Sequence, residues 1–268
     1  YDLAEEARSK GYDPEEEPEI PLAQDLAARV EKLAGPEGVA EAIRSLEDDY
    51  SREDLAFKIA SMIVNDEFGH LSDSEAAEQA VRTCLAIITE GIAAAAPIEG
   101  ITKVDIKQNF DGSSYLAVYF AGPIRSAGGT AAALAVLTGD YVRRELNISE
   151  YEPSDLEIER AVEEVNLYDE SVGLQYSPKE DEVREAYRNI PVEITGEPTE
   201  QETVTGYKGL DRIETDRVRG GGVLDIAEGV LQKAPKILKH IDNLGISGWD
   251  WLRELGQTSG KDKEERDY

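Results

Sequence analysis

The sequence predicts an α+β fold, with a helical N-terminal part followed by a small mixed sheet flanked by helices. Three observations carry this. Apolar residues recur at helical spacing through the first third of the chain. The period then changes to strand-like alternation in ITKVDIKQNF and SYLAVYFAG, joined by the turn DGSS. A glycine cluster, AGPIRSAGGT, then opens a second helical run.

Taken in order, residues 1–10 read as the end of a helix, and GYDPEEEPEIP, at 11–21, reads as a solvated linker of prolines and glutamates. Leu22, Leu26, Val30 and Leu33 fall at helical spacing, and Gly35 and Pro36 stop that helix. Further helices are expected over Val39 to Asp48 and Arg52 to Val64. Ser72 and Glu75 are spaced as a capping box ahead of a long helix that ends before Pro97 and is apolar nearly all round in its second half. After the hairpin, a helix is expected from Ala127 to Leu146. EYEPSDLEIERAVEEVNLYDESVG marks another helix or a strand–helix boundary. SPKEDEVREAYRNIP starts a helix by charge and capping, and PVEITGEPTEQETV is β-like. The organisation that follows is an acidic linker and helical bundle over 1–97, an α+β domain over 98–200, and a basic-enriched helical segment over 201–268.

Acidic residues number 57 against 28 basic, a formal net charge of −29. The acid is spread through periodic segments, which favours a halophile's cytoplasmic protein over a disordered tail. Strong salt shortens the Debye length to about 3 Å at 1 M, so this charge does not exclude DNA as a partner. The single cysteine, Cys84, excludes an internal disulfide and a thiolate zinc site, and its apolar neighbours make it a small buried residue. Two histidines, His70 and His240, give no basis for a histidine-rich metal site or a catalytic triad. No apolar run approaches the ~18 residues of a membrane span, and no signal-peptide core is seen at the start. The ends of the chain suggest a piece of a longer protein. Carboxylate pairs such as Asp48 with Asp49, Asp211 with Asp216, and the run Glu180, Asp181 and Glu182 read as solvated surface. Trp249 and Trp251 read as core packing, with a stacking or docking platform as the alternative.

Two stretches remain as candidate sites. In GPIRSAGGT, glycines admit close backbone approach, the helix N-terminus beyond carries partial positive charge, and Arg125 adds a planar fork suited to phosphate. It lacks the G-K-[ST] end of a Walker loop and the spacing of a dinucleotide fingerprint. A close-packed strand-to-helix turn, with Gly128 and Gly129 serving helix packing, explains the glycines equally. In RIETDRVRGGG, Arg212, Arg217 and Arg219 precede a helix bearing Lys233, Lys236 and Lys239 at helical spacing. Basic residues clustered in so acidic a chain suggest contact with a phosphate backbone, and pairing with neighbouring acids is the alternative.

YFAGPIRSAGGTAAALAVLTGDYVRREL, VGLQYSPKEDEVREAYRNIPVEITGEPTE and RIETDRVRGGGVLDIAEGVLQKAPKILK, in that order, resemble the N-terminal region of the large subunit of the archaeal family D DNA polymerase, also called DNA polymerase II. The acidic composition fits a haloarchaeal member. The resemblance implies DNA-templated nucleotide addition by a two-subunit complex whose small subunit carries 3′–5′ exonuclease activity. It implies Mg²⁺ and zinc for the full-length enzyme, with the catalytic aspartates outside these residues. No catalytic residue, metal or cofactor is therefore assigned within this segment. Its expected role is assembly and binding of primer-template DNA, with Arg125, Gly128, Gly129, Arg212, Arg217, Arg219, Lys233 and Lys236 as the DNA-binding candidates. The expected partners are the small subunit, DNA and possible self-association, with no membrane. Two other readings stay open: a subunit-interaction module that never touches DNA, and an anion- or nucleotide-binding enzyme using the glycine loop.

Overall fold

The computed structural model describes residues 9–11, 23, 25–89 and 99–255. The expectations for the first helix, most of the 11–21 linker and the end of the long helix before Pro97 fall outside those residues. The architecture is α+β, as the sequence predicts.

Among the elements with described bounds, α1 (Leu26–Leu33), α2 (Val39–Leu46), α3 (Arg52–Val64) and α4 (Asp73–Ile88) lie ahead of the sheet. Their starts are chemically marked. The Asp25 carboxylate accepts the Ala28 amide, Ser51 caps α3, and Ser72 with Glu75 closes the reciprocal capping box on α4. The sheet follows as β1 (Ile101–Gln108) and β2 (Ser114–Phe120), an antiparallel hairpin. At its turn Asp111 Oδ1 accepts the Ser113 amide, and Gly112 adopts φ 89°.

The helix expected from Ala127 to Leu146 is present, starting two residues later and preceded by a short separate turn. A four-residue α5 (Ile124–Ala127) is separated from α6 (Gly129–Glu145) by Gly128, at φ 81° and ψ 151°. That region is essentially open to glycine alone. The ambiguous acidic stretch is a helix, α7 (Asp155–Ser171), opened by a Ser154–Glu157 capping box. The helix begun by Ser-Pro is α8 (Glu180–Asn189). Of the β-like stretch after it, only β3 (Glu193–Gly196) joins the sheet, parallel to β2, giving the order β1-β2-β3.

β2 is therefore central and buried on both faces. Leu116, Val118 and Phe120 enter the main core under α6, while Tyr115, Ala117 and Tyr119 form a second cluster with Tyr151. α6 can lie this close because Gly139 meets Val118, where an added Cβ would stand 3.3 Å from the valine. The main core is continuous, drawing on Val30, Ile59, Leu85, Phe120, Leu134, Val165 and Trp249 alike. Cys84 and both tryptophans are buried in it, as expected. The Cys84 thiol contacts Thr138 Oγ1 at 3.0 Å, and burial pushes its pKa up to about 12. Trp249 donates to Asp140 at 2.9 Å.

The sheet's second face is closed by residues 203–219, which are irregular except for one bridge between Thr203 and Arg217. With little backbone pairing of its own, this segment is held by side chains from α7. Arg160, fully buried, donates to the carbonyls of Tyr207, Thr215 and Arg217 and to Glu164. Glu164 in turn receives Arg219, with Nη2 at 2.6 Å and Nε at 3.1 Å from Oε2. Arg219 Nη1 reaches Thr195 on β3 at 2.9 Å.

Because Arg160, Glu164 and Arg219 are all buried, Glu164→Gln leaves two guanidiniums without their shared counter-charge. That costs about 3–5 kcal/mol. The expected result is a large fall in the urea midpoint, with part of the loss recovered when Arg219→Met is added. An unchanged midpoint for Glu164→Gln would show that this ion group does not hold the fold.

Candidate nucleic-acid interface

Three glycines, Gly220 to Gly222, open α9 (Gly220–Leu224), which runs into a π-helical turn, π1 (Asp225–Leu231). π1 is followed by α10 (Ala234–Leu244). The basic helix expected here is thus interrupted, and Lys233 sits at the start of α10 while Lys236 and Lys239 lie within it. The glycines are contact requirements. A Cβ on Gly221 would stand 2.4 Å from the Phe120 carbonyl, and one on Gly220 would stand 2.5 Å from Thr199 Oγ1. α9 therefore seats its first turn on the C-terminal ends of the parallel pair β2 and β3.

The same holds for the first glycine cluster. A Cβ on Gly129 would lie 2.1 Å from the Glu228 carbonyl oxygen and 3.0 Å from Lys233 Cε. Gly129 thus brings the start of α6 against π1. Gly128 supplies the turn and has open space around it. This packing gathers Arg125, Gly128, Gly129, Lys233 and Lys236 around one place. Lys236 Nζ is 3.4 Å from Thr130 Oγ1, and Arg125 Nη2 is 3.3 Å from Glu228 Oε1. Glu228 Oε1 also accepts the Gln175 amide at 2.8 Å. The Tyr168 hydroxyl lies nearby. Burial raises its pKa, with Glu200 and Glu228 adding to the rise and Arg125 opposing it.

The other three candidates stand apart from this group and are engaged internally. Arg219 is 2% exposed and belongs to the α7 ion group. Arg212 forks onto Glu157 at 2.5 and 2.8 Å and lies 4.2 Å over the Phe110 ring. Burial pushes the Glu157 carboxyl up, but Arg212 and the Ser154 amide outweigh it and hold the pKa below its ordinary value. Arg217 is half-buried and donates to the Glu200 carbonyl at 2.7 Å. In this arrangement Arg212 and Arg219 cannot reach a phosphate without surrendering buried carboxylates, because each shares its guanidinium with one.

A family model described as DNA polymerase II large subunit DP2, N-terminal, matches residues 1–258. The chain belongs to that family. It is 58% identical over 256 residues to the DNA polymerase II large subunit of Methanococcus maripaludis strain C5, covering 95% of this chain and 22% of the relative. It is 54% identical over 269 residues to that of Methanothermobacter thermautotrophicus, covering 99% of the chain and 24% of the relative. It is 54% identical over 271 residues to that of Thermococcus kodakarensis, covering 99% and 15%. The chain thus spans about a fifth of the length of most relatives it matches. These relatives come from methanogens and from Thermococcus, and they give no support to the haloarchaeal origin inferred from acidic composition. Surface acid alone does not identify the source.

The described residues offer no donor set for the metals that family resemblance implies. Among the described residues no three His, Cys, Asp or Glu side chains gather as a metal site, and the one thiol is buried with its pKa pushed up. No helix among the described residues is long and apolar enough to cross a membrane.

Sequence reasoning missed Glu228, Tyr168 and the buried Asp225. The signal lay in VLDIAEGVL, where two acids interrupt an otherwise apolar run. Asp225 is fully buried, both its carboxylate oxygens lack a hydrogen-bond partner among the described residues, and burial raises its pKa well above 3.8. Its Oδ1 would be 2.9 Å from a Cβ on Gly229.

Two outcomes follow from this packing. Gly129→Ala forces α6 away from π1 and costs about 1–3 kcal/mol, whereas Gly122→Ala, with open space at its Cβ, leaves the thermal midpoint close to the parent. For Asp225, the unfolded chain releases its proton near pH 3.8 while the folded chain retains it to higher pH. The stabilisation from that proton is complete below pH 3.8 and is lost as pH rises through the folded value, at up to about 1.4 kcal/mol per pH unit. Asp225→Asn lacks that decline, so its midpoint advantage over the parent grows from pH 4 toward neutrality. A constant difference across that range would disprove the assignment.

Proposed function

We propose that this chain is the N-terminal part of the polymerising subunit of a replicative DNA polymerase. It braces primer-template DNA through the surface formed by Arg125, Lys233 and Lys236 at the starts of α6 and α10. One observation carries this reading. In a chain of net charge −29, these cations converge on one surface, and among the described residues Arg125 meets a carboxylate only in a single 3.3 Å approach. Arg212 and Arg219, by contrast, are closed onto carboxylates at 2.5 and 2.6 Å. The acidic remainder repels a polyanion and so favours its approach to this surface.

Each of the three side chains is suited to backbone contact, which carries affinity but no base sequence. Nucleotide addition belongs, in this reading, to the rest of the large subunit with its Mg²⁺ and zinc, and exonuclease activity to a small subunit in a heterodimer. The complex works in the cytoplasm.

The test is fluorescence anisotropy of this chain with a labelled primer-template oligonucleotide across 50–200 mM salt. Arg125→Ala, Lys233→Ala and Lys236→Ala each weaken binding, and each loss of a phosphate contact lowers the salt slope by about one. Affinity and slope unchanged in all three variants would remove the proposal.

A further inference from the structure

Glu228, on π1, faces Arg125. Its Oε1 is shared by two donors of different origin, the Arg125 guanidinium at 3.3 Å and the Gln175 backbone amide at 2.8 Å. A guanidinium and a main-chain N–H converging on one anionic oxygen is the donor set of a phosphate subsite. Here a carboxylate from the chain itself fills it. The carboxylate is held in place from behind. Glu228 is 7% exposed, and its own carbonyl is pressed against Gly129, so π1 cannot recede from α6 without losing that contact.

We infer that Glu228 is an internal competitor that gates Arg125: phosphate reaches the guanidinium only by displacing this carboxylate. The inference rests on the proposed function, because it concerns access to the same surface. The energetic ordering supports it. The Arg125 contact is single and long, and Arg125 is 39% exposed, so solvent screens the pair and its strength lies at the low end for ion pairs. A phosphate presents several charged oxygens and can engage Arg125 together with Lys233, which Gly129 brings alongside. The displaced carboxylate then faces the phosphate and repels it. Glu228 therefore weakens binding overall while leaving the donors pre-positioned. The Tyr168 hydroxyl, acted on by Arg125, Glu228 and Glu200 alike, borders the same place.

Glu228→Gln keeps an acceptor for the Gln175 amide and removes the charge. With the labelled primer-template oligonucleotide as probe, Glu228→Gln binds more tightly than the parent, by up to about fivefold at low salt. The double variant Arg125→Ala/Glu228→Gln falls back to the affinity of Arg125→Ala. Asp181→Asn, which neutralises a 96% exposed acid on α8, changes affinity little and controls for net charge. A second measurement needs no variant at Glu228. In the parent chain, the Gln175 amide resonance shifts when the oligonucleotide is added, because its acceptor changes. Weaker or unchanged binding by Glu228→Gln, while Arg125→Ala still loses affinity, overturns the gate but leaves the DNA surface standing. An unmoved Gln175 resonance at saturating oligonucleotide does the same. If Arg125→Ala binds as the parent does, the DNA surface and the gate fall together.

Discussion

The buried Arg160–Glu164–Arg219 group is the constraint on which the rest of the C-terminal half depends. Residues 203–219 have almost no backbone pairing, yet they must lie against a sheet face lined with Tyr115, Tyr119 and Tyr151. Two arginines converging on one glutamate fix this segment to α7 and to Thr195 on β3. Buried charges are costly to desolvate, and the group persists because nearly every donor finds an acceptor. Once Arg219 is fixed, the chain direction into Gly220 is fixed with it, and α9 lands on the ends of β2 and β3. Everything downstream, including the position of Glu228, inherits that placement.

The glycines then act as distance gauges. Gly221 lets α9 touch the Phe120 carbonyl, Gly196 lets β3 approach the same residue, and Gly129 lets α6 touch π1. Close approach of this kind leaves no gap for a ligand at Gly129 or Gly221, whereas Gly122 and Gly128 face open space. The basic character of the surface comes instead from side chains that project beyond these contacts. A π-helical turn is an uncommon element that is often found at functional sites. In this chain it presents Glu228 to Arg125 while burying Asp225.

Much of the fold was legible. The capping box at Ser72 lies in local sequence and needs no tertiary information, so the start of α4 was readable; Ser51 and Ser154 cap by the same local chemistry, but the sequence reading did not single them out. The hairpin was readable because alternation and Asp-Gly chemistry agree. Less was legible where tertiary contact overrides local pattern. The short α5 ahead of Gly128 went unread, and so did the contact of Gly129 with Glu228, about a hundred residues away in sequence. The π turn follows from packing on α6. Of the proposed surface, the glycine cluster pointed to Arg125 and charge clustering to the lysines, but clustering could not distinguish those lysines from Arg212 and Arg219, whose partners Glu157 and Glu164 lie 55 residues earlier. A basic residue in sequence carries no mark of whether its acid is bound to it.

The lone cysteine has a practical consequence. Cys84 is fully buried between α4 and α6, and its thiol resists ionisation at ordinary pH. A thiol introduced anywhere on the surface of this chain is therefore the one that alkylating reagents find first. Fluorophores or spin labels can be attached beside Arg125, or at the hairpin tip, with the native side chain left in place. Distances from those markers to whatever docks on the chain are then measurable in otherwise unaltered protein.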